Sequence, residues 1–257
     1  MLNNCSYGII LRKKKQKIIN IEVKKTVRIG IIGAMNEEVI ELKNIMTDIQ
    51  VEKIGNLEFF KGNLLNKEVV LVEGGIGKVN AAICATLMIE HFKVSKVLFT
   101  GVAGGTNPDI NIGDIVIGVD QIEHDFDSTA FGYALGQIPR MDTYIFEADR
   151  ELVDLAYSVA VEKFGREKVR KGRIVSGDEF VASVEKIKWL RDTFNADCTE
   201  MEGAAVAHVC HVFKMPFLII RAISDKANHD AKVDFPEFVK LAAKNSKTII
   251  EGILERI

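Results

Sequence analysis

At 257 residues, 47% hydrophobic and 27% charged, the chain has the composition of an ordinary globular protein with material for a sizeable core. A formal net charge of −2 argues against a dedicated nucleic-acid binder, and no apolar run approaches the roughly 18 residues of a membrane span. The charge is uneven: residues 1–28 hold eight Lys and Arg against Glu22 alone, so a basic leader precedes a body carrying a formal −9.

The leader, residues 1–26, reads as a disordered or peripheral extension. Its apolar run, Tyr7 to Leu11, is shorter than the roughly 7–15 residues of a signal-peptide core, and the basic residues follow it instead of preceding it. No such run precedes Cys5 either, which argues against a lipid anchor there. Basic tails bind polyanions, although a solvated tail without function is the plainer reading. Cys5, Cys84, Cys198 and Cys210 lie far apart without a CxxC, and Cys84 and Cys210 fall in apolar helical patterns. Free buried thiols in a reducing compartment, the cytoplasm, are the expectation.

From Val27 the pattern becomes regular. Val27–Ala34 is a short, β-branched apolar run that predicts a buried strand. Asn36 is placed to cap a helix, with Glu37 and Glu38 in its first turn, and Val39, Leu42, Ile45, Met46 and Ile49 recur at helical spacing. Strands are predicted around 51–54, 57–64 and 68–73. Gly74-Gly75-Ile76-Gly77 then breaks the chain before a helix over about 78–91. Lys96–Thr100 is another buried strand, running into Gly101-Val102-Ala103-Gly104-Gly105. A strand at 115–119 precedes the segment 122–140, which has no clear periodicity. The second half alternates helix 150–164, strand 172–176, helices 184–194 and 202–213, strand 216–223 and a final helix over about 235–256. Apolar strands alternating with helices indicate a central sheet covered on both sides, a three-layer α/β sandwich, and the antiparallel-looking run at 51–73 makes the twisted sheet mixed. With no linker and no repeat after residue 27, residues 27–257 read as one domain.

In such sheets ligands bind beyond the carboxyl ends of strands. Three features stop there: Gly33-Ala34-Met35-Asn36-Glu37-Glu38, Glu200-Met201-Glu202, and Arg221-Ala222-Ile223-Ser224-Asp225. Carboxylates opening a helix are ordinarily dipole partners, and Glu200 and Glu202 have exposed capping as their plain reading. Arg221 and Asp225 beside an apolar strand are harder to dismiss. Other motifs fail. Gly75-x-Gly77 lacks the third glycine of a dinucleotide fingerprint, and Gly77-Lys78-Val79 lacks the Ser/Thr of a P-loop. His208 and His211 are three apart on an apolar helix with no second ligand pair, which argues against a metal.

Six segments in order, GIIGAMNEEV (30–39), GGIGKVNAA (74–82), TGVAGG (100–105), VSGDEFV (175–181), EMEGAAVAHVC (200–210) and RAISDKA (221–227), resemble the 5'-methylthioadenosine/S-adenosylhomocysteine nucleosidases of the nucleoside phosphorylase superfamily. The resemblance runs from about Val27 to the C-terminus; the leader has no counterpart in it. It implies that Glu38 activates the attacking water and that Asp225, supported by Ser224, protonates N7 of adenine. It further implies that Glu202 grips the ribose hydroxyls, with Met201 packed on the sugar and Ile76 lining its 5' side. Phe180 stacks on the purine and the backbone of Val181 reads its edge. Val102, Ala103, Gly104, Glu200 and Arg221 fall among the substrate-binding residues. Phe131, Tyr133 and Pro139 match residues lent by a neighbouring subunit, which implies a homodimer. One departure is Val102, which stands where some members carry Ser and so removes a hydroxyl near the ribose.

The chemistry suits these residue types. The bond from ribose to adenine breaks when the purine leaves neutral and positive charge builds on the sugar. An acid at N7, worth roughly 10²–10⁴ in rate, makes the leaving group viable. A carboxylate on the other face orients water, as in inverting glycosidases. Asp225 must then hold a proton near neutral pH through burial or hydrogen bonding. This chemistry calls for neither metal nor organic cofactor. A phosphorylase on the same fold would need arginines for its anion, and Val97–Gly101 supplies none. Aminofutalosine and 5'-deoxyadenosine remain open as further substrates, and polyanion binding through the leader is the reading from a different class.

Overall fold

Ile29, Ile31 and Ile32 lie at the centre of the molecule because their stretch of chain is apolar on both faces. They form β1 (Ile29–Gly33), in which every residue is buried. The computed structural model describes residues 27–226 and 231–257. The readings made for residues 1–26, including Cys5 and polyanion binding, lie outside the described residues.

The chain continues through α1 (Asn36–Ile45), the meander β2 (Thr47–Ile54), β3 (Leu57–Leu64) and β4 (Lys67–Glu73), then α2 (Lys78–Glu90), β5 (Lys96–Gly105) and β6 (Ile115–Glu123). After a two-residue β7 (Phe146–Glu147) come α3 (Arg150–Phe164), β8 (Val169–Ser176), α4 (Val184–Phe194), β9 (Cys198–Glu200), α5 (Gly203–Phe213), β10 (Phe217–Asp225) and α6 (Ala231–Leu254). The ten strands form one mixed sheet. β1 lies parallel between β4 and β5, while β2, β3 and β4 pair antiparallel. β5 also pairs with β10, and β10, β6, β8 and β9 lead back to β5, so half of the sheet closes into a five-strand ring.

Strand periodicity divides the core into two layers. Ile29 and Ile31 of β1, with Leu218 and Ile220 of β10, pack against Leu42 of α1, Leu152 and Ala156 of α3, and Ile249 and Ile253 of α6. The alternate residues Ile32, Phe217 and Ile219 face Cys84 and Met88 of α2 and Val206 and Cys210 of α5. Helices on both faces explain the unbroken apolar runs at 97–99 of β5 and 217–220 of β10. Cys84, Cys198 and Cys210 are free and buried. Among the described residues no helix is long and apolar enough to cross a membrane.

Several elements differ from expectation. α1 ends at Ile45, and Met46, which continued the helical spacing, has extended backbone and leads directly into β2. Asn36 is not the cap: Met35 occupies that position, and the Glu38 side chain folds back onto the amides of Ala34 and Met35. β10 runs on to Asp225, two residues past the expected end, so Ser224 and Asp225 lie within the strand and not beyond it. α6 begins at Ala231, so Pro236 falls inside the helix.

Candidate active site

The division of β5 between partners creates the site. On one edge β5 is paired with β10 from Val97 to Gly104. On the other it is paired with β1 at 96–99 and with β9 only at 104–105, so Gly101, Val102 and Ala103 have no strand neighbour there. The Glu38 side chain occupies this opening. Its Oε1 accepts from the Val102 amide at 3.1 Å, and its Oε2 accepts from the amides of Ala34 at 2.6 Å and Met35 at 3.0 Å. Gly101 is required by the fit: a Cβ there would stand 2.6 Å from Glu38 Oε1. Burial pushes the Glu38 carboxyl above its ordinary pKa, opposed by the Arg221 charge and the three amides. A carboxylate moved toward neutrality is a competent general base.

Asp225 reaches the same cavity from β10. A register shift between Ile223 and Asp225 sets Asp225 opposite Gly104, and such an irregularity re-aims a side chain at the end of a strand. Asp225 is 3% exposed, and the Ser224 hydroxyl donates to its Oδ2 at 2.9 Å.

Glu202 enters at the start of α5, where its Oε1 accepts from the Gly77 amide at 2.7 Å. Gly77 has φ +98°, a conformation that favours glycine, and it opens α2 with its amide aimed at this carboxyl. The loop after β8 supplies Phe180 and Val181. It is tied to α2 through Asp178, whose Oδ1 accepts from the Lys78 amide at 2.8 Å and whose own amide donates to Asp125. The cavity is lined by these groups together with Ile76, Ala103, Gly104, Met201, Thr199 and others, and the Phe235 ring of α6 stands edge-on to Phe180 with centroids 5.8 Å apart. Five carboxyl side chains, Glu38, Glu179, Glu200, Glu202 and Asp225, line it, and among the described residues no lysine or arginine does.

The profile of the Phosphorylase superfamily matches residues 28–255. The 5'-methylthioadenosine/S-adenosylhomocysteine nucleosidase of Staphylococcus haemolyticus is 45% identical over 228 residues, covering 88% of this chain and 99% of its own. That of Actinobacillus succinogenes is 44% identical over 231 residues, covering 90% and 99%. The chain belongs to the 5'-methylthioadenosine/S-adenosylhomocysteine nucleosidase family. Among solved structures, the Neisseria meningitidis nucleosidase in complex with methylthio-immucillin-A superposes with TM-score 0.86 at 40% identity, covering 90% of this chain and all of that one. A futalosine hydrolase of Helicobacter pylori gives TM-score 0.86 at 36% identity, covering 90% and 99%.

Not every residue singled out by the nucleosidase resemblance lines the cavity in this chain. Arg221 does not: it is 1% exposed, donates through Nε (3.2 Å) and Nη2 (2.6 Å) to Glu200 Oε2, and lies over the Phe99 ring. Glu200 reaches the lining, yet its oxygens are taken by Arg221, the Ser176 hydroxyl and the amides of Glu202 and Gly203. This buried pair anchors the start of α5 and places a positive charge behind Glu38; Glu200 does cap α5, but it and Glu202 are both buried, not the exposed caps expected from the sequence. Val102 does line the cavity, and it also packs on Ala222, Val239 and Ala242, so the residue that replaces Ser helps seat α6. Phe131, Tyr133 and Pro139 do not line the cavity within one chain, and Phe131 is 83% exposed. Residues missed by sequence reading include Phe235 and Thr199, neither of which carries a motif. His208 and His211 are hydrogen-bonded to Glu123 and Asp142, and among the described residues no group of three or more His, Cys, Asp or Glu is arranged around a metal position.

Glu202 gives a testable pH effect. Burial, reinforced by the charge of Glu200, raises its pKa to about 8 from the 4.5 of an ordinary glutamate. The folded state therefore binds this proton more tightly than the unfolded chain. The associated stability is present at low pH and is lost as pH rises through the folded value. Glu202→Gln is expected to reduce the loss of unfolding free energy between about pH 5 and about pH 8, read by urea denaturation. The same pH dependence in variant and wild type would contradict the shift.

Proposed function

We propose that this chain hydrolyses the N-glycosidic bond of 5'-methylthioadenosine and S-adenosylhomocysteine, releasing adenine with 5-methylthioribose or S-ribosylhomocysteine. It does so in the cytoplasm as a homodimer, through a single domain spanning residues 27–257. The observation that carries hydrolysis over phosphorolysis is the lining: five carboxyl groups and, among the described residues, no cationic side chain to hold phosphate. The one arginine close behind, Arg221, is committed to Glu200.

In this reading Asp225 gives its proton to N7 as the C1'–N9 bond breaks, and adenine departs neutral. Glu38 takes a proton from the water whose oxygen bonds to C1', and its charge stabilises the positive sugar. The Ser224 hydroxyl bond supports Asp225, and the amides of Ala34, Met35 and Val102 hold Glu38 in one orientation. Glu202, with its raised pKa, both donates to and accepts from ribose hydroxyls. Phe180, 46% exposed, offers a ring face for the purine beside the Val181 backbone. Met201 and Ile76 pack on the sugar and its 5' substituent.

Aminofutalosine is proposed as a second substrate on the same residues, and the likeness to a futalosine hydrolase supports a substrate of that general kind. Adenine release measured side by side from 5'-methylthioadenosine, S-adenosylhomocysteine, 5'-deoxyadenosine and aminofutalosine tests the assignment. Turnover of the first two is expected; turnover of none of the first three, with aminofutalosine cleaved, would reassign the enzyme.

The dimer rests on exposed apolar surface. Val79 and Ile83 of α2 and Val212 and Phe213 of α5 are 70%, 47%, 59% and 40% exposed on two helices that pack together, next to Ile76 at the cavity mouth. Apolar exposure of this kind marks an interface. Phe131 and Tyr133 supply aromatic walls that a thioalkyl group requires, and they are proposed to do so for the partner's site. Phe131→Ala combined with Tyr133→Ala is expected to weaken 5'-methylthioadenosine binding far more than adenine binding. Mixing that variant with Asp225→Asn chains should restore part of the activity. Wild-type turnover by a strictly monomeric preparation would contradict the shared site.

A further inference from the structure

Four described residues have buried side-chain polar atoms without a hydrogen-bond partner: Thr100, Gln121, His124 and Thr199. Of these, only Thr199 lines the cavity. It is 5% exposed, so water reaches it poorly, and its Oγ has no partner among the described residues. A buried hydroxyl left unpaired is costly, and cavities retain such groups where a ligand completes the bond.

The strand register locates this hydroxyl. Gly104 of β5 is paired on one edge with Asp225 of β10 and on the other with Thr199 of β9. Neighbouring strands lie about 4.8 Å apart and directly paired residues share a face, so Asp225 and Thr199 flank a slot about 10 Å wide between their backbones. Gly104, lacking a side chain, is its floor. Both flanking residues belong to the lining. A planar base held in this slot by Asp225 at N7 presents its opposite edge to Thr199. On a purine that edge carries N3, a hydrogen-bond acceptor, and a threonine hydroxyl can donate to it.

We propose that Thr199 is a specificity-determining residue whose hydroxyl donates to N3 of the bound purine, reading the edge opposite the one held by Asp225. The inference rests on the adenine-releasing reading of the site given above and extends it to a contact on the far side of the base. It also accounts for a polar residue at the centre of β9, flanked by buried Cys198 and paired on its other side with buried Val175.

The test is calorimetric binding of adenine and of 3-deazaadenine, in which a C–H replaces N3, to the full chain and two variants. Thr199→Val removes the hydroxyl with little change of shape in a β-branched position, and Thr199→Ser keeps it. Wild type and Thr199→Ser are expected to prefer adenine over 3-deazaadenine by about tenfold, and Thr199→Val is expected to lose that preference. Because the valine relieves an unpaired hydroxyl, the ligand-free Thr199→Val protein should melt no lower than wild type. If Thr199→Val keeps the wild-type preference, or wild type shows none, the assignment is overturned. If wild type binds no adenine at all, the adenine reading of the site fails first and takes this inference with it.

Discussion

Asp225→Asn is expected to yield a folded protein that releases adenine at least about 10²-fold more slowly than wild type. The amide has nearly the shape of the acid and remains within reach of the Ser224 hydroxyl, whose donor now finds the amide oxygen. It carries no transferable proton, so adenine must leave as an anion or not at all. Folding is expected to survive because the β10 backbone and the register shift beside Ser224 are unchanged. Circular dichroism and thermal melting check the fold, and a coupled adenine assay checks the rate. Activity within about threefold of wild type in a folded variant would remove Asp225 from general-acid chemistry.

Glu38→Gln is expected to abolish turnover while leaving the base site intact. All three hydrogen bonds recorded to the Glu38 carboxylate come from backbone amides, two on Oε2 and one on Oε1. A carboxylate accepts on both oxygens; a glutamine accepts on one and presents N–H groups on the other. One side of the cradle therefore meets donor against donor, at a cost of about 1–3 kcal/mol to stability. The water also loses its base. Adenine, which touches neither, should bind within about threefold of wild type by calorimetry. Loss of adenine binding together with turnover would make Glu38 a structural residue.

What could be read from the chain, and what could not, follows from how local each signal is. β1, β5 and β10 are legible because helices cover both their faces and leave uninterrupted apolar runs. β7 and β9 span two and three residues, too short for any periodicity, and they exist only because β6, β8 and β5 offer edges to pair with. The overshoot of α1 has a similar origin. Met46 and Ile49 continue a helical spacing, but Thr47, Ile49 and Val51 also alternate as a strand, and pairing with β3 decides between the two. Glu38, Glu202 and Asp225 stood out through their motifs and meet at one cavity. The reason Glu200 and Arg221 turn toward each other was not visible, because they lie 21 positions apart in the chain, with α5 between them, and meet across β5. Phe235 and Thr199 carry no motif; they belong to the site only because α6 and β9 are brought to it by the fold.

The central claim is that water, not phosphate, receives the ribosyl group. The most direct measurement is the rate of adenine release from 5'-methylthioadenosine in phosphate-free buffer and again with phosphate added, with the sugar product identified in each. Equal rates and free 5-methylthioribose in both are the expected result. Release that requires phosphate and yields a sugar 1-phosphate would contradict it.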